Sequence, residues 1–463
     1  MKETNRGSFS GQLGFIMAAA GSAVGLGNIW RFPYLAAKDG GGVFILCYLI
    51  LAVTFGFTLL TTEIAIGRKT RQSPLTAYKQ FHPRWGGIGI LACLVPIIIL
   101  PYYCSIGGWV FKYLSLYVTN QSEQAVADEY FSEYIAGTPE PLIWMLIYFF
   151  ITAFIVFSGV EKGIEKYSKI LMPILVVMVV GISIFSLTLS YTDSSGVTRT
   201  GLQGLQVYLI PDFTGMTLKS FLLVIMDAMG QLFFSISVAM GIMVAYGSYA
   251  KKETNLMKSI NQIEIFDTVI ALLAGMMIIP AVFTFMGMEG MSAGPGLLFV
   301  SLPKVFHTMR GAGKVIGAVF FLIVAFAAVT SSVSVMEAIV SSIMDAFGIS
   351  RRKSSVIVTV YTLIVGAIVC LGYNVFYFEL PLPNGTTATL LDLLDYISNN
   401  WLMPLVAFLT SILIGWVVKP DVIIEEVTQG GVKFRRKWLY IIMIKFVAPI
   451  MLLFLLLQSV GLI

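Results

Sequence analysis

The chain has 463 residues, 57% of them hydrophobic and only 12% charged. A water-soluble domain carries about 25% charged residues, so lipid rather than water is the main solvent of this sequence. A formal charge of +5 invites a nucleic-acid-binding reading, but the 30 Lys and Arg lie between long apolar runs instead of clustering on a polar face. Cys47, Cys93, Cys104 and Cys370 all fall inside apolar stretches without C-x-x-C spacing, and the histidines are His82 and His307. That argues against a disulfide framework, a zinc site and haem attachment.

A membrane span needs about 20 mostly apolar residues. Eleven stretches qualify: 12–37, 43–67, 87–113, 142–158, 166–190, 220–248, 259–286, 313–345, 355–375, 390–418 and 438–460. The first follows Met-Lys-Glu-Thr-Asn-Arg without a small-residue cleavage site and reads as a retained helix rather than a signal peptide. The spans leave no room for a separate soluble domain, so 1–463 is expected to be one transmembrane unit.

Lys and Arg accumulate in cytoplasmic loops. With the N-terminus inside, the cytoplasmic face collects 21 of the 30, including Lys2, Arg6, Arg68, Lys69, Lys162, Lys251, Arg351, Arg352, Lys433 and Arg436. The opposite loops carry acids such as Glu123, Asp128, Glu129, Glu133 and Glu140. Eleven spans then place the C-terminus outside, in a multi-pass protein of the cell membrane.

The first span contains Gly21-Ser-Ala-Val-Gly25-Leu-Gly27-Asn28-Ile-Trp-Arg31-Phe-Pro33. Gly21-x-x-x-Gly25 also fits a close-packing motif, but a third glycine with Asn28 and Arg31 points to a break in the helix. Glycine costs about 1 kcal/mol against alanine in a helix, and freed backbone groups persist at membrane depth only where they line a cavity or bind something. A second polar, small-residue break falls in the sixth span, over Gln231 to Gly241. Breaks in the first and sixth spans predict two inverted five-helix repeats, 12–190 and 220–418, followed by an eleventh helix at 438–460. Half-helix N-termini then face an anion while freed carbonyls hold a cation, a pair of ends that a zwitterion and a small metal ion satisfy together.

At these residues the chain resembles the neurotransmitter:sodium symporter family, in its prokaryotic eleven-helix form. The resemblance covers essentially the whole chain and rests on Ser22-Ala-Val-Gly-Leu-Gly-Asn-Ile-Trp-Arg-Phe-Pro-Tyr34, Gly40-Gly-Gly42, Glu63 with Ile66-Gly-Arg68, Tyr102-Tyr103, Gly230-Gln-Leu-Phe-Phe-Ser235 and Thr330-Ser-Ser332. It implies an all-α polytopic membrane protein and sodium-driven uptake of an amino acid by alternating access. By family pattern, a first Na+ takes the Ala23 carbonyl, Asn28, Ser235, Asp267 and the substrate carboxylate. A second takes carbonyls of Gly21, Val24 and Ala327 with the hydroxyls of Thr330 and Ser331. Sodium prefers such hard oxygen ligands. Taken alone, Thr330 to Ser332 can equally bond back to carbonyls one turn earlier.

The resemblance further implies that the substrate carboxylate meets the break around Gly25, the amides of Leu26 and Gly27, and the Tyr103 hydroxyl. The ammonium meets carbonyls of Ala23, Phe234 and Ser235 and the Ser237 hydroxyl. Ile99, Tyr103, Phe234, Met240, Ser331 and Val335 line the side-chain pocket. None of them is charged, so a neutral aliphatic or aromatic L-amino acid fits. Glu63 caps freed amides without touching substrate; Arg31 with Asp395 forms an outer gate, and Arg6 with Asp345, beside Ser248 and Tyr249, an inner one. Ionisable residues at membrane depth are functional candidates in any case.

Asp267 departs from the animal members, which place Asn there and Ser one turn later and use chloride for negative charge. Here the position one turn later is Ala271, so a fixed carboxylate is expected to replace chloride. Asp392 remains an alternative partner for Arg31, and Asp227 stays open between pairing with Arg31 and narrowing substrate choice. A channel predicts rings of charge or a repeated filter, and a polytopic enzyme predicts a nucleophile with its base or an H-E-x-x-H motif; the sequence has neither pattern. A transporter of another small zwitterion and a non-transporting sensor are the remaining readings.

Overall fold

The computed structural model describes residues 7–291, 295–383 and 385–462. Arg6, half of the expected inner gate, lies outside the described residues.

Among the described residues, ten helices are long and apolar enough to cross a membrane: Gly42–Thr70, Pro83–Val118, Pro139–Phe157, Val160–Leu187, Leu218–Ser235, Leu256–Met286, Gly311–Phe347, Arg351–Tyr373, Leu390–Val417 and Lys437–Ser459. The bent pair Gln12–Ala23 and Gly27–Lys38 supplies the eleventh, and it precedes the others in the chain. The strands form two short antiparallel hairpins, Ser190–Thr192 with Thr198–Thr200 and Leu380–Pro381 with Thr387–Ala388. The fold is therefore all-α and polytopic, as the sequence leads one to expect.

The first span breaks where the glycines are. Helix Gln12–Ala23 ends at Val24, whose φ of −75° and ψ of 96° are extended, and the chain turns 53° before Gly27–Lys38 continues. Close approach is the reason for glycine. A Cβ on Gly27 would lie 2.3 Å from the Phe234 ring, and one on Gly25 would lie 2.8 Å from Ser331 Oγ.

The sixth span breaks within the expected stretch, over its second half. Helix Leu218–Ser235 keeps Gln231 and Ser235 in regular geometry, and the interruption runs from 236 to 241 before Ile242–Tyr249. Ser237 (φ 54°), Ala239 (φ 61°) and Gly241 (φ 73°) are all left-handed. For the two non-glycine residues this costs about 1–2 kcal/mol each, so the surroundings must hold the break open.

The second half of that broken helix is clamped onto the second span. A Cβ on Gly67 would fall 2.0 Å from the Val244 carbonyl oxygen, and one on Gly247 would fall 2.3 Å from that of Ile64. The long third and eighth spans pack along each other and face both breaks. Short helices absent from the sequence expectation, Tyr130–Ala136, Gly201–Leu209, Leu302–Thr308 and Asp421–Val427, cap the bundle ends.

Candidate ion and substrate sites

The two breaks meet at the centre. The Ser237 hydroxyl donates to the Ser22 carbonyl at 2.9 Å, and the two serine hydroxyls lie 3.1 Å apart. Gln231 Nε2 donates to the Gly27 carbonyl at 3.0 Å. Glu63, from the second span, accepts the Ala239 amide at 2.6 Å, which ties the left-handed stretch to a carboxylate. Its second oxygen is buried without a partner among the described residues.

Three of the residues expected around the first sodium converge. The Ser235 hydroxyl lies 2.7 and 2.9 Å from the two Asp267 oxygens, and Asn28 Nδ2 donates to Ser235 Oγ at 2.9 Å and to Asp267 Oδ1 at 2.8 Å. Asn28 Oδ1 accepts the Gly25 amide at 3.1 Å. The amide thus presents nitrogen to the carboxylate, and a cation there would need it turned to present oxygen. Tyr48 donates to Asp267 Oδ2 at 3.2 Å and is a member of this cluster that sequence reasoning missed. A lone tyrosine in an apolar helix carries no signal by itself.

The second group joins the first and eighth spans. Ser331 Oγ donates to the Ser22 carbonyl at 3.1 Å and lies 3.4 Å from that of Val24. Thr330 Oγ1 bonds back to the carbonyls of Phe326 at 3.0 Å and Ala327 at 3.2 Å, while a Cβ on Gly21 would sit 3.3 Å from Thr330 Cβ. Thr330 thus bonds back along its own helix, while Ser331 reaches across to the break.

Ile99, Tyr103, Met240 and Val335 are buried and uncharged, and Phe234 is half-buried above them. The Tyr103 hydroxyl is buried without a hydrogen-bond partner among the described residues, and a Cβ on Gly25 would lie 3.3 Å from it. A buried orphan hydroxyl costs free energy unless something bonds it. Its place beside the first break suits an anionic oxygen. Ser237, expected at the ammonium, instead donates to Ser22, because the left-handed turn points its hydroxyl at the other break.

Among the described residues the outer pair forms no ion pair. Asp395 accepts from Tyr102 at 3.1 Å and from Asn399 at 2.6 Å, whereas Arg31 reaches only the Gly230 carbonyl at 3.5 Å. A cavity of about 230 Å³ is bordered by Arg31, Asp227, Phe234 and Asn399, the last of which donates to Asp395. Asp227 pairs with Lys38 at 2.7 Å, and among the described residues no ion pair joins it to Arg31. Asp39, just beyond the first span, is buried beside them, and burial together with the Asp227 charge pushes its carboxyl up to about 7.

The opposite end is sealed. Asp345 accepts the Ser73 amide at 2.6 Å. Tyr249 donates to Glu337 at 2.6 Å, and Arg351 forks onto the same carboxylate. Phe9 plugs the approach, with its amide on the Tyr249 carbonyl at 3.3 Å and its ring edge-on to Tyr246 and Tyr249. The sequence marks Arg351 only as a cytoplasmic charge and gives no sign of Glu337, since a lone acid in a long helix shows no partner.

Residues 6–135 and 132–462 match the Sodium:neurotransmitter symporter family. An uncharacterized sodium-dependent transporter of Bacillus subtilis, YhdH, is 33% identical over all of this chain and 99% of its own length. The sodium- and chloride-dependent GABA transporter 2 of Rattus norvegicus is 26% identical over 89% of this chain and 73% of its own. Among solved structures, MhsT in complex with L-phenylalanine superposes with a TM-score of 0.85 at 33% identity, covering 98% of this chain and 100% of that one.

Proposed function

The chain belongs to the sodium:neurotransmitter symporter family, a family of multi-pass membrane transporters and not of enzymes, and from that premise we propose that it imports neutral hydrophobic L-amino acids together with sodium. The observation that carries this reading is the buried Asn28–Ser235–Asp267 cluster beside two facing helix breaks, next to a pocket of uncharged side chains. Asp267 supplies the negative charge a buried cation needs, so transport is independent of chloride. The chloride-dependent relative makes that the sharper part of the proposal.

In this reading the first sodium binds between Ala23, Asn28, Ser235 and Asp267, and the second between Gly21, Val24, Ala327, Thr330 and Ser331. The substrate carboxylate completes the first and takes the Tyr103 hydroxyl. Aliphatic or aromatic side chains fill the space among Ile99, Phe234, Met240 and Val335. The binding of L-phenylalanine by MhsT supports that class. Charge counting places the N-terminus and the sealed Asp345 end in the cytoplasm and the C-terminus outside, so the Arg31 end opens outward. The repeats 12–190 and 220–418 rock about the central site, with ligand binding selecting among states. Arg31 and Asp395 close over the substrate in the next state, and Arg6 with Asp345 part in the last.

The test is uptake of radiolabelled L-phenylalanine and L-leucine into proteoliposomes under an inward sodium gradient. Uptake that vanishes when potassium replaces sodium, and that neutral hydrophobic amino acids inhibit, is expected. Uptake indifferent to sodium overturns the coupling, competition only by charged or non-amino-acid zwitterions overturns the substrate class, and binding without uptake makes the protein a sensor.

A further inference from the structure

A large groove lies on the outer surface of the bundle, away from the transport site. Its volume is about 660 Å³, and Leu13 and Ile16 of the first span, Val176 of the fifth, and Ile265, Val269 and Ile270 of the seventh line it. At one end Lys258 and Gln262 complete the lining. The same two residues also border a second cavity of about 470 Å³, whose other walls include Lys433, Arg435 and Arg436. The two spaces therefore adjoin at Lys258 and Gln262, one apolar and one basic.

The charges at the basic end are not balanced from within. Arg436 is committed to Glu264, at 3.1 and 2.8 Å, and stacks on the Phe57 ring. Lys258, Lys433 and Arg435 are exposed and have no ion-pair partner among the described residues. Beside them Trp438 is exposed to 75% at the start of the last span, the position of a side chain that sits at a membrane surface.

The dimensions match one lipid leaflet. Lys258, Gln262, Ile265 and Val269 share one face of the helix Leu256–Met286. Eleven residues separate the first from the last, a rise of about 16 Å, and half of a bilayer's hydrocarbon core is about 15 Å. We propose that this groove and its basic end form a binding site for one anionic phospholipid of the leaflet that faces the positively charged loops. The phosphate lies among Lys258, Lys433 and Arg435, and an acyl chain runs along the groove against the first helix segment. A zwitterionic headgroup brings its own cation to three unpaired ones, which offsets much of the attraction of its phosphate, whereas an anionic headgroup gains from each.

The experiment is native mass spectrometry of the full-length protein in detergent with dioleoyl phosphatidylglycerol or dioleoyl phosphatidylcholine. Phosphatidylglycerol is expected to bind at concentrations at least about tenfold lower, from the attraction of several basic side chains. The variant Lys258→Gln/Lys433→Gln/Arg435→Gln is expected to lose that preference, and Ile265→Trp, which fills the groove, to weaken retention of both lipids. Glycerol 1-phosphate, the headgroup without chains, is expected not to compete. Equal binding of the two lipids by the native protein overturns the proposal without any variant. So does an undiminished preference in the triple variant, or full competition by glycerol 1-phosphate.

Discussion

Asp267→Asn combined with Ala271→Ser tests the charge balance of the first sodium site. Asp267 has no solvent exposure and accepts hydrogen bonds from Asn28 at 2.8 Å, Ser235 at 2.7 Å and Tyr48 at 3.2 Å. Ala271 follows one turn later on the same helix and is equally buried. Removing the charge leaves a buried cation without a fixed anion, a loss of about 3–5 kcal/mol. At about 1.4 kcal/mol per factor of ten, the sodium concentration for half-maximal uptake should rise by roughly two to three and a half orders of magnitude. The new amide and hydroxyl together offer donors to a halide, and a captured chloride would restore the missing charge. The assay is sodium-titrated uptake in proteoliposomes with either chloride or gluconate. The native protein should give one curve in both media, and the double variant should recover only in chloride. Chloride-independent uptake by the double variant, with sodium affinity close to native, refutes the charge argument.

Replacing Thr330 and Ser331 together with Ala removes two hydroxyls at about 1–3 kcal/mol each, so sodium dependence should shift by at least about tenfold; an unshifted sodium curve in correctly inserted protein rejects the second site. Met240→Phe overpacks the pocket by about 1–3 kcal/mol and should weaken inhibition by aromatic amino acids more than by small aliphatic ones, whereas equal losses would make Met240 mere packing. Gly67→Ala drives a Cβ to 2.0 Å from the Val244 carbonyl and should separate the second span from the sixth, read as a lower midpoint of thermal unfolding; an unchanged midpoint contradicts that contact. Asp39 has its folded-state pKa raised from 3.8 to about 7, so the folded protein holds that proton more tightly than the unfolded chain. The resulting stability is present below about pH 4 and is lost as pH rises through 7, and Asp39→Asn should flatten the fall of the unfolding midpoint across that window. Identical slopes for native and variant protein count against it.

The spans were legible because bilayer thickness fixes helix length and apolar content, and all eleven expected stretches overlap observed helices. The first break was legible because glycine spacing reports close approach directly. The sixth was legible as the small-residue stretch Gln231 to Gly241, but Gln231 to Ser235 stay in a regular helix and the unwinding is confined to 236–241, where Ser237, Ala239 and Gly241 are left-handed. Partners across the bundle were the least legible. Tyr48 with Asp267, Lys38 with Asp227, and Arg351 with Glu337 are each set by how distant spans are packed, which single-sequence periodicity does not encode. The buried pair Arg68–Glu426 at 2.6 Å belongs to the same class, joining the second span to the short helix Asp421–Val427 after the tenth.

The site's central economy lies in one carbonyl. Ser22 O accepts from Ser331 of the eighth span at 3.1 Å and from Ser237 of the sixth at 2.9 Å, so the first helix break is bonded at once to the hydroxyl run and to the other break. A cation that draws the Ser331 hydroxyl or the carbonyls around it alters the same bonds that hold Ser237, and Ser237 lies two residues beyond Ser235 of the Asp267 cluster. If ions bind at the two groups as proposed, they act on one shared segment, whose left-handed residues Ser237 and Ala239 cost about 1–2 kcal/mol each. Thermodynamic reciprocity then requires that whatever one ion does to the affinity for the other is returned in equal measure. On the proposed reading of the two ion sites, two unbroken, separately packed helices would offer no such route between them.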